Sequence, residues 1–174
     1  MSKRVAEISA ATAVRPAADC DVPAIAAVWY DGWMTAHVGH VPEALIRYRT
    51  RGSFERRAGE RLDDSLVAVA DGRVVGFLRV HDAEIEQVFV EARCRGTGLA
   101  ARLMVAGEAV LRRRGLVEAF LVVNSANERA QRFYLKQGWR SVGLVDYAAE
   151  IEDGTMVISI LRYEKTLTHS HEEF

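Results

Sequence analysis

Val90-Glu91-Ala92-Arg93-Cys94-Arg95-Gly96-Thr97-Gly98-Leu99-Ala100 stands between a strand-like run and a helical one, and its reading decides the fold. On its amino side, Glu84 to Val90 reads as a strand. On its carboxyl side, Gly98 to Arg114 carries Leu103, Ala106, Val110 and Leu111 at helical spacing, and Gly115 stops the helix. A glycine-rich turn at a helix N-terminus presents successive backbone N–H groups as an anion cradle. Gly96 and Gly98 would let that backbone come close to a pyrophosphate, with Arg93 and Arg95 adding charge. A plain turn explains an isolated Gly-x-Gly equally well. No Gly-Lys-Ser/Thr follows, so this is not a P-loop. The preceding strand is the fourth in order, whereas a Rossmann unit opens with its glycine loop.

Working back towards the N-terminus, Leu66–Ala70, Asp71-Gly72 and Arg73–Val80 read as a β-hairpin, because Asp-Gly supplies the positive φ angles of a tight I′ turn. Val14-Arg15-Pro16 reads as a short first strand. Asp19 or Asp21 then caps a helix that has Pro23 in its first turn and fades near Asp31-Gly32. Pro42 opens a second helical stretch, Glu43 to about Arg57, rich in arginine. Working forwards, Ala119–Val123 is a continuous apolar strand of the kind buried in a sheet centre. Ser125 with Glu128 forms a capping box for a helix ending at Gly138. Strands at about Ser141–Tyr147 and Thr155–Tyr163 flank a turn at Asp153-Gly154. The order β-α-α-β-β-β-α-β-α-β-β predicts a mixed α/β fold. Its sheet has about seven mostly antiparallel strands, with helices on both faces.

The helix after Ser125 carries a second block, Asn127-x-x-Ala130-x-x-Phe133-Tyr134-x-x-x-Gly138-Trp139. Together, Val90-x-Ala92-x-x-Arg95-Gly96-x-Gly98-x-Ala100 and Asn127–Trp139 resemble the two motif blocks of the GNAT (GCN5-related N-acetyltransferase) superfamily. Ala92 stands where proline is common and Trp139 where phenylalanine is. The element order extends the resemblance over residues 13–167, and the chain's ending is similar to that of small-molecule, phosphinothricin-type members.

The resemblance implies acetyl-CoA as acyl donor, with no metal, and its pantetheine arm lying between the strands Glu84–Val90 and Ala119–Val123. Backbone groups at Val88, Phe89 and Val90 would pair with the arm as one strand pairs with another. The segment from Arg93 and Arg95 through Gly96, Thr97, Gly98, Leu99 and Ala100 would hold the pyrophosphate. Asn127, Ala130, Phe133 and Tyr134 would meet the rest of the cofactor, Tyr134 beside the sulfur. Tyr30, Trp33 and His37, in a region resembling a lid, would form the acceptor site.

The chemistry requires a free amine. An alkyl ammonium titrates near ~10.4, so about a few molecules in ten thousand are neutral at pH 7. A base raises that supply, an acid protonates the departing thiolate, and a strand N–H can stabilise the oxyanion. Tyr134 is the expected acid. Glu84 and Glu86 alternate on the strand, sharing a face with Val88 and Val90, and are the expected bases. Glu86 is favoured as the deeper of the two; a water relay or a solvated strand end are the alternatives. His37 and His40, three residues apart with no third ligand, make a weak metal motif. Arg47, Arg49, Arg51, Arg56 and Arg57 could draw in an acidic substrate, although such a run is more often a solvated face. The leading expectation is acetylation of a small primary amine by direct attack in a ternary complex. Acetylation of proteins or peptides, and a non-catalytic acyl-CoA sensor, are the alternatives.

Composition bounds the rest. The length of 174 residues suits one domain, expected over 13–167, with 1–12 and 168–174 as flexible ends. A formal charge of −1 removes the usual electrostatic argument for a nucleic-acid or membrane partner. No run of about 18 apolar residues is present to span a bilayer. Two cysteines, Cys20 and Cys94, are too few for a disulfide framework, and Met1–Thr12 lacks a signal peptide's apolar region. These features suggest a cytoplasmic protein, and the resemblance suggests a homodimer.

Overall fold

The computed structural model describes residues 12–168, so the expected flexible ends lie outside the described residues except for Thr12 and Thr168. The described residues form seven strands: β1 (Ala13–Pro16), β2 (Ser65–Ala70), β3 (Arg73–His81), β4 (Glu84–Val90), β5 (Glu118–Val123), β6 (Arg140–Ile151) and β7 (Gly154–Thr166). They make one sheet in the order β1-β2-β3-β4-β5-β7-β6, antiparallel except for β4 against β5. Asp71 and Gly72 turn β2 into β3 with φ of 51° and 72°, as the tight turn demands.

Among the described residues five α-helices cover the sheet: α1 (Val22–His37), α2 (Glu43–Tyr48), α3 (Arg51–Glu60), α4 (Leu99–Arg113) and α5 (Glu128–Lys136). Three details differ from the sequence reading. Helix α1 runs through Asp31-Gly32 to His37, because Gly32 serves packing rather than termination: a Cβ there would collide with the Phe89 ring on β4. The expected single helix Glu43–Arg57 breaks at Arg49-Thr50, where the Thr50 side chain caps α3 by accepting from the Ser53 N–H at 3.2 Å. Helix α5 is capped by Asn127, whose Oδ1 accepts from the Ala130 N–H at 3.1 Å, and not by Ser125.

The sheet separates two apolar layers. Leu78, Ile85, Leu103, Met104, Leu111, Leu121 and Trp139 pack on the side of α4 and α5. Ile25, Trp29, Phe54, Val67 and Phe77 pack beneath α1 and α3, where the far ends of β6 and β7 add Tyr147, Ala149 and Ile158. Each fully buried large side chain of this kind contributes about 1.5–3 kcal/mol. Arg79 is buried on the α1–α3 side because each of its nitrogens is engaged: it donates to the Arg57 and Ala58 carbonyls at the end of α3 and to Ser65 Oγ. Among the described residues no helix is long and apolar enough to cross a membrane.

Two irregularities shape the middle of the sheet. Strand β4 pairs with β5 only at Glu84 opposite Phe120, supported by the Phe120 N–H donating to the Ala83 carbonyl at 3.0 Å; beyond this point they diverge. Against β3, Val80 faces Ile85 and Arg79 faces Gln87, which leaves Glu86 as the extra residue of a β-bulge. The bulge breaks the expected alternation. Val88 and Val90 pack on the α4 layer and Phe89 on the α1 layer, whereas Glu84 and Glu86 turn to Tyr147 and Arg61. The four side chains predicted to share a face are therefore split between both faces.

Candidate active site

The divergence of β4 from β5 opens a cavity of about 730 Å³ whose walls come from both layers. On the α4–α5 side it is lined by Val88, Val90, Cys94, Arg95, Gly96, Gly98, Leu99, Ala100, Asn127, Arg129, Ala130, Phe133 and Tyr134. On the α1–α3 side the walls are Trp33, His37, Arg49, Arg57, Arg61, Glu84, Glu86, Phe89 and Tyr147. The fork thus joins the two faces of the sheet through one opening.

At the loop end, Gly98 ends the turn with φ 82° directly before α4, and Gly96 has φ 76°. A Cβ on either would meet nothing within 4 Å, so both open onto free space beside the helix N-terminus. Arg95 lines this end with Arg129, and burial together with the Arg129 charge lowers its pKa. Among the described residues neither guanidinium has a carboxylate partner. Arg129 had no signal in the sequence beyond its place in the first turn of α5. Two of the predicted contacts fall away from the cavity. Arg93 is exposed and pairs with Glu91, and Thr97 turns its hydroxyl back to donate to the Cys94 carbonyl at 2.6 Å.

Tyr134 lies deep in the α5 layer, 9% exposed, against Phe133 and Tyr163. Among the described residues its hydroxyl has no hydrogen-bond partner, and burial pushes its pKa upward, so it stays protonated. Cys94 is buried, and desolvation raises its thiol pKa, the opposite of an activated nucleophile.

The two strand carboxylates are not equivalent, and the deeper one is Glu84 rather than the expected Glu86, because the bulge turns Glu86 out to Arg61. Glu84 is 6% exposed and accepts from the Tyr147 hydroxyl at 3.2 Å. Burial, reinforced by the nearby Glu86 charge, pushes its pKa up to about 7. Glu86, on the bulge, is held by Arg61 at 2.7 Å through one oxygen, while Oε2 is buried without a partner. Tyr147 lies 63 residues from Glu84 in sequence, which is why no local pattern could foretell the contact.

Of the expected acceptor residues, Trp33 and His37 line the cavity and Tyr30 does not. Tyr30 faces Phe54 and lies under the Arg51 guanidinium, 4.1 Å from the ring centroid, on the outer side of α1. Trp29, a neighbour on the same helix, is fully buried in the core. The His37 ring stacks on Trp33, and its Nδ1 lies 3.0 Å from the Trp33 carbonyl, which it meets as a donor. Burial lowers the pKa of His37 and favours the neutral ring, leaving Nε2 as an acceptor. Among the described residues no group of His, Cys, Asp or Glu is arranged to hold a metal ion.

Comparison with known proteins agrees with this architecture. Residues 26–139 match the acetyltransferase (GNAT) family, to which the chain therefore belongs. It is an acetyl-CoA-dependent acyltransferase. An uncharacterized N-acetyltransferase of Mycobacterium tuberculosis (strain ATCC 25618 / H37Rv) is 33% identical over 111 residues, covering 59% of this chain and 71% of that protein. The putative acetyltransferase yncA of Salmonella typhimurium, solved with its cofactor acetyl-CoA, has a TM-score of 0.68. It is 17% identical, with 94% of this chain and 98% of that one covered. The PaiA N-acetyltransferase of Thermoplasma acidophilum, solved in complex with coenzyme A, has a TM-score of 0.62 and is 17% identical over 89% of this chain and 98% of that one.

The residues present fit such a donor. The edge of β4 past Glu84 makes no pairing with β5, leaving backbone donors and acceptors for an amide-bearing arm. The open space at Gly96 and Gly98 and the unpaired Arg95 and Arg129 suit a pyrophosphate. The unpartnered Tyr134 hydroxyl suits a sulfur nearby.

Proposed function

We propose that the chain transfers the acetyl group of acetyl-CoA to a primary amine of a small molecule, by direct attack within a ternary complex. The observation that carries this reading is a continuous cavity through the sheet, with the Tyr134 hydroxyl on one side and the Glu84 carboxyl on the other. Acetyl-CoA supplies the activated thioester. The unpaired edge at Val88, Phe89 and Val90 pairs with the pantetheine arm, and Asn127, Ala130 and Phe133 wall it in. Backbone amides from Arg95 through Leu99 and Ala100 hold the pyrophosphate, with the side chains of Arg95 and Arg129 adding charge. Arg93 and Thr97 contribute at most through the loop's backbone, since their side chains bond elsewhere.

Glu84 takes the proton from the attacking nitrogen, directly or through a water. Its pKa near 7 leaves it ionised in about half the molecules at neutral pH while keeping it basic enough to accept a proton. Glu86, fixed by Arg61, tunes that value through its charge. Tyr134 protonates the departing sulfur. Direct attack is favoured because the cysteine lining the cavity, Cys94, has a raised pKa. Trp33, His37 and Tyr147 wall the acceptor end, which favours a small amine over a peptide. The open edge β6 carries exposed Val142 and Leu144, with Val157 on β7, and this supports a homodimer. A cytoplasmic location is part of the same reading.

The test is calorimetric titration with acetyl-CoA and with free coenzyme A, followed by a thiol-release screen of amines. Micromolar binding of both and turnover with a small amine are expected. Absence of binding, or turnover with peptides alone, would overturn the proposal.

A further inference from the structure

Five arginines crowd residues 47–57, and the structure treats them differently. Arg47, Arg51 and Arg56 are exposed; Arg49 and Arg57 are buried at 6% and 8% exposure. Arg57 reaches Glu150 at 3.6 Å and lies over the Trp29 ring. Its neighbour on the same cavity wall, Arg61, reaches Glu86 at 2.7 Å. Arg49 has no such partner. Among the described residues its guanidinium makes no hydrogen bond and no ion pair, and its Nε is buried and unsatisfied. The Trp33 ring lies 5.7 Å from guanidinium carbon to centroid, and the Glu150 charge acts on the group without forming an ion pair with it.

A buried cation without a partner is costly unless something else supplies the charge. Here the side chain is turned inward at the α2–α3 junction and lines the cavity, on the side that holds Glu84 and Tyr147. Burial and the neighbouring Arg57 charge lower its pKa to about 10, so it remains a cation at neutral pH. The ion pairs at this end leave one cation over. Arg57 is matched by Glu150 and Arg61 by Glu86, which leaves Arg49 as a cation without a carboxylate in contact, among the described residues, beside the acceptor.

We propose that Arg49 binds an anionic group of the acceptor, so that the substrate is a small amine that also carries a carboxylate or a phosphoryl group. This deepens, and rests on, the acetyl-transfer reading of the same cavity. The planar guanidinium offers paired N–H donors to two oxygens, and the Trp33 face beneath it fixes its orientation. The anion anchors one end of the molecule and leaves the amine to reach Glu84. The Arg49 charge disfavours purely cationic amines such as diamines.

The test uses thiol release at saturating acetyl-CoA with matched compounds: α-amino acids, the same compounds as carboxamides, and aminoalkylphosphonates. The wild-type protein is expected to favour an acid over its amide by about 10- to 100-fold in kcat/KM, the range of a charge-assisted bond lost. The acid and phosphonate arms distinguish the two sources of the anion. In Arg49→Met the ratio should fall towards one through KM for the acid, and Arg49→Lys should restore part of it. Thermal unfolding provides a second readout: Arg49→Met should unfold at the same temperature or higher, because an unpaired buried charge has been removed. Amides used as well as acids would overturn the proposal, as would a preference that survives Arg49→Met or a markedly lowered unfolding temperature. Turnover of neutral amines with no preference removes this inference alone; no acetyl-CoA binding removes the transfer reading as well.

Discussion

A carboxyl group that titrates near neutrality changes its role across the pH range in which an enzyme is assayed. Glu84, held near 7 by burial and by Glu86, is a proton acceptor above that pH and is blocked below it. Once corrected for the free-amine fraction, kcat/KM should rise from pH 6 to pH 8 with a midpoint at about 7. In Glu84→Gln that limb should vanish and the rate should drop by ~10²–10⁴-fold, the usual range for a general base. An unchanged limb in the variant would move the base role to Glu86 or to water. Tyr134 works in the opposite sense: burial raises its pKa, so the hydroxyl remains a donor throughout. Tyr134→Phe should lower kcat by ~10²-fold and leave acetyl-CoA affinity, read by calorimetry, almost unchanged.

At the scale of elements, the site depends on a turn, a bulge and a fork. Gly98 holds φ 82° at the start of α4, a conformation that costs an L-residue about 1–2 kcal/mol, and a side chain there would fill the open space beside the helix N-terminus. Gly98→Val is therefore expected to weaken acetyl-CoA binding by more than ~10-fold in calorimetry while the far-UV circular dichroism stays wild-type; retained affinity would remove the loop from the binding site. The turn was legible in the sequence because glycine at a strand-to-helix junction has a local cause, and so was the hairpin at Asp71-Gly72. The bulge was not. One extra residue at Glu86 reverses the facing of everything after it, and nothing in Glu84–Val90 marks which residue is extra. Gly32 misled for a related reason: a glycine that ends a helix and one that admits a ring from another element look alike until Phe89 is in position. Tyr147 and Arg129 escaped notice, and Arg49 could not be told apart from the other arginines of its run, because their importance comes from contacts distant in sequence, whereas Tyr134 and Asn127 belong to a short helical block with recognisable spacing.

For the molecule as a whole, the burial that makes Glu84 a base also makes it a burden on the fold. Its pKa is raised from 4.5 to about 7, so between those values the native state binds a proton that the unfolded chain releases. Stability must then fall as pH rises through that window, because the native state binds more protons than the unfolded one. The rise from 4.5 to about 7 corresponds to a loss on the order of 3 kcal/mol, a large part of the roughly 5–15 kcal/mol that holds a domain of this kind together. Neighbouring charges do not remove the penalty: Arg61 is committed to Glu86, and the Tyr147 hydroxyl supplies one hydrogen bond. Glutamine keeps the shape and can still accept from Tyr147 without carrying the charge. In urea unfolding, Glu84→Gln should therefore be more stable than wild type at pH 8, by up to ~3 kcal/mol, with the gap closing as the pH approaches 4.5. Equal stability at pH 8 would mean that the native carboxylate is solvated, and a solvated carboxylate would not titrate near 7. The variant expected to lose catalysis is thus expected to fold better, and the two measurements rest on the same buried proton.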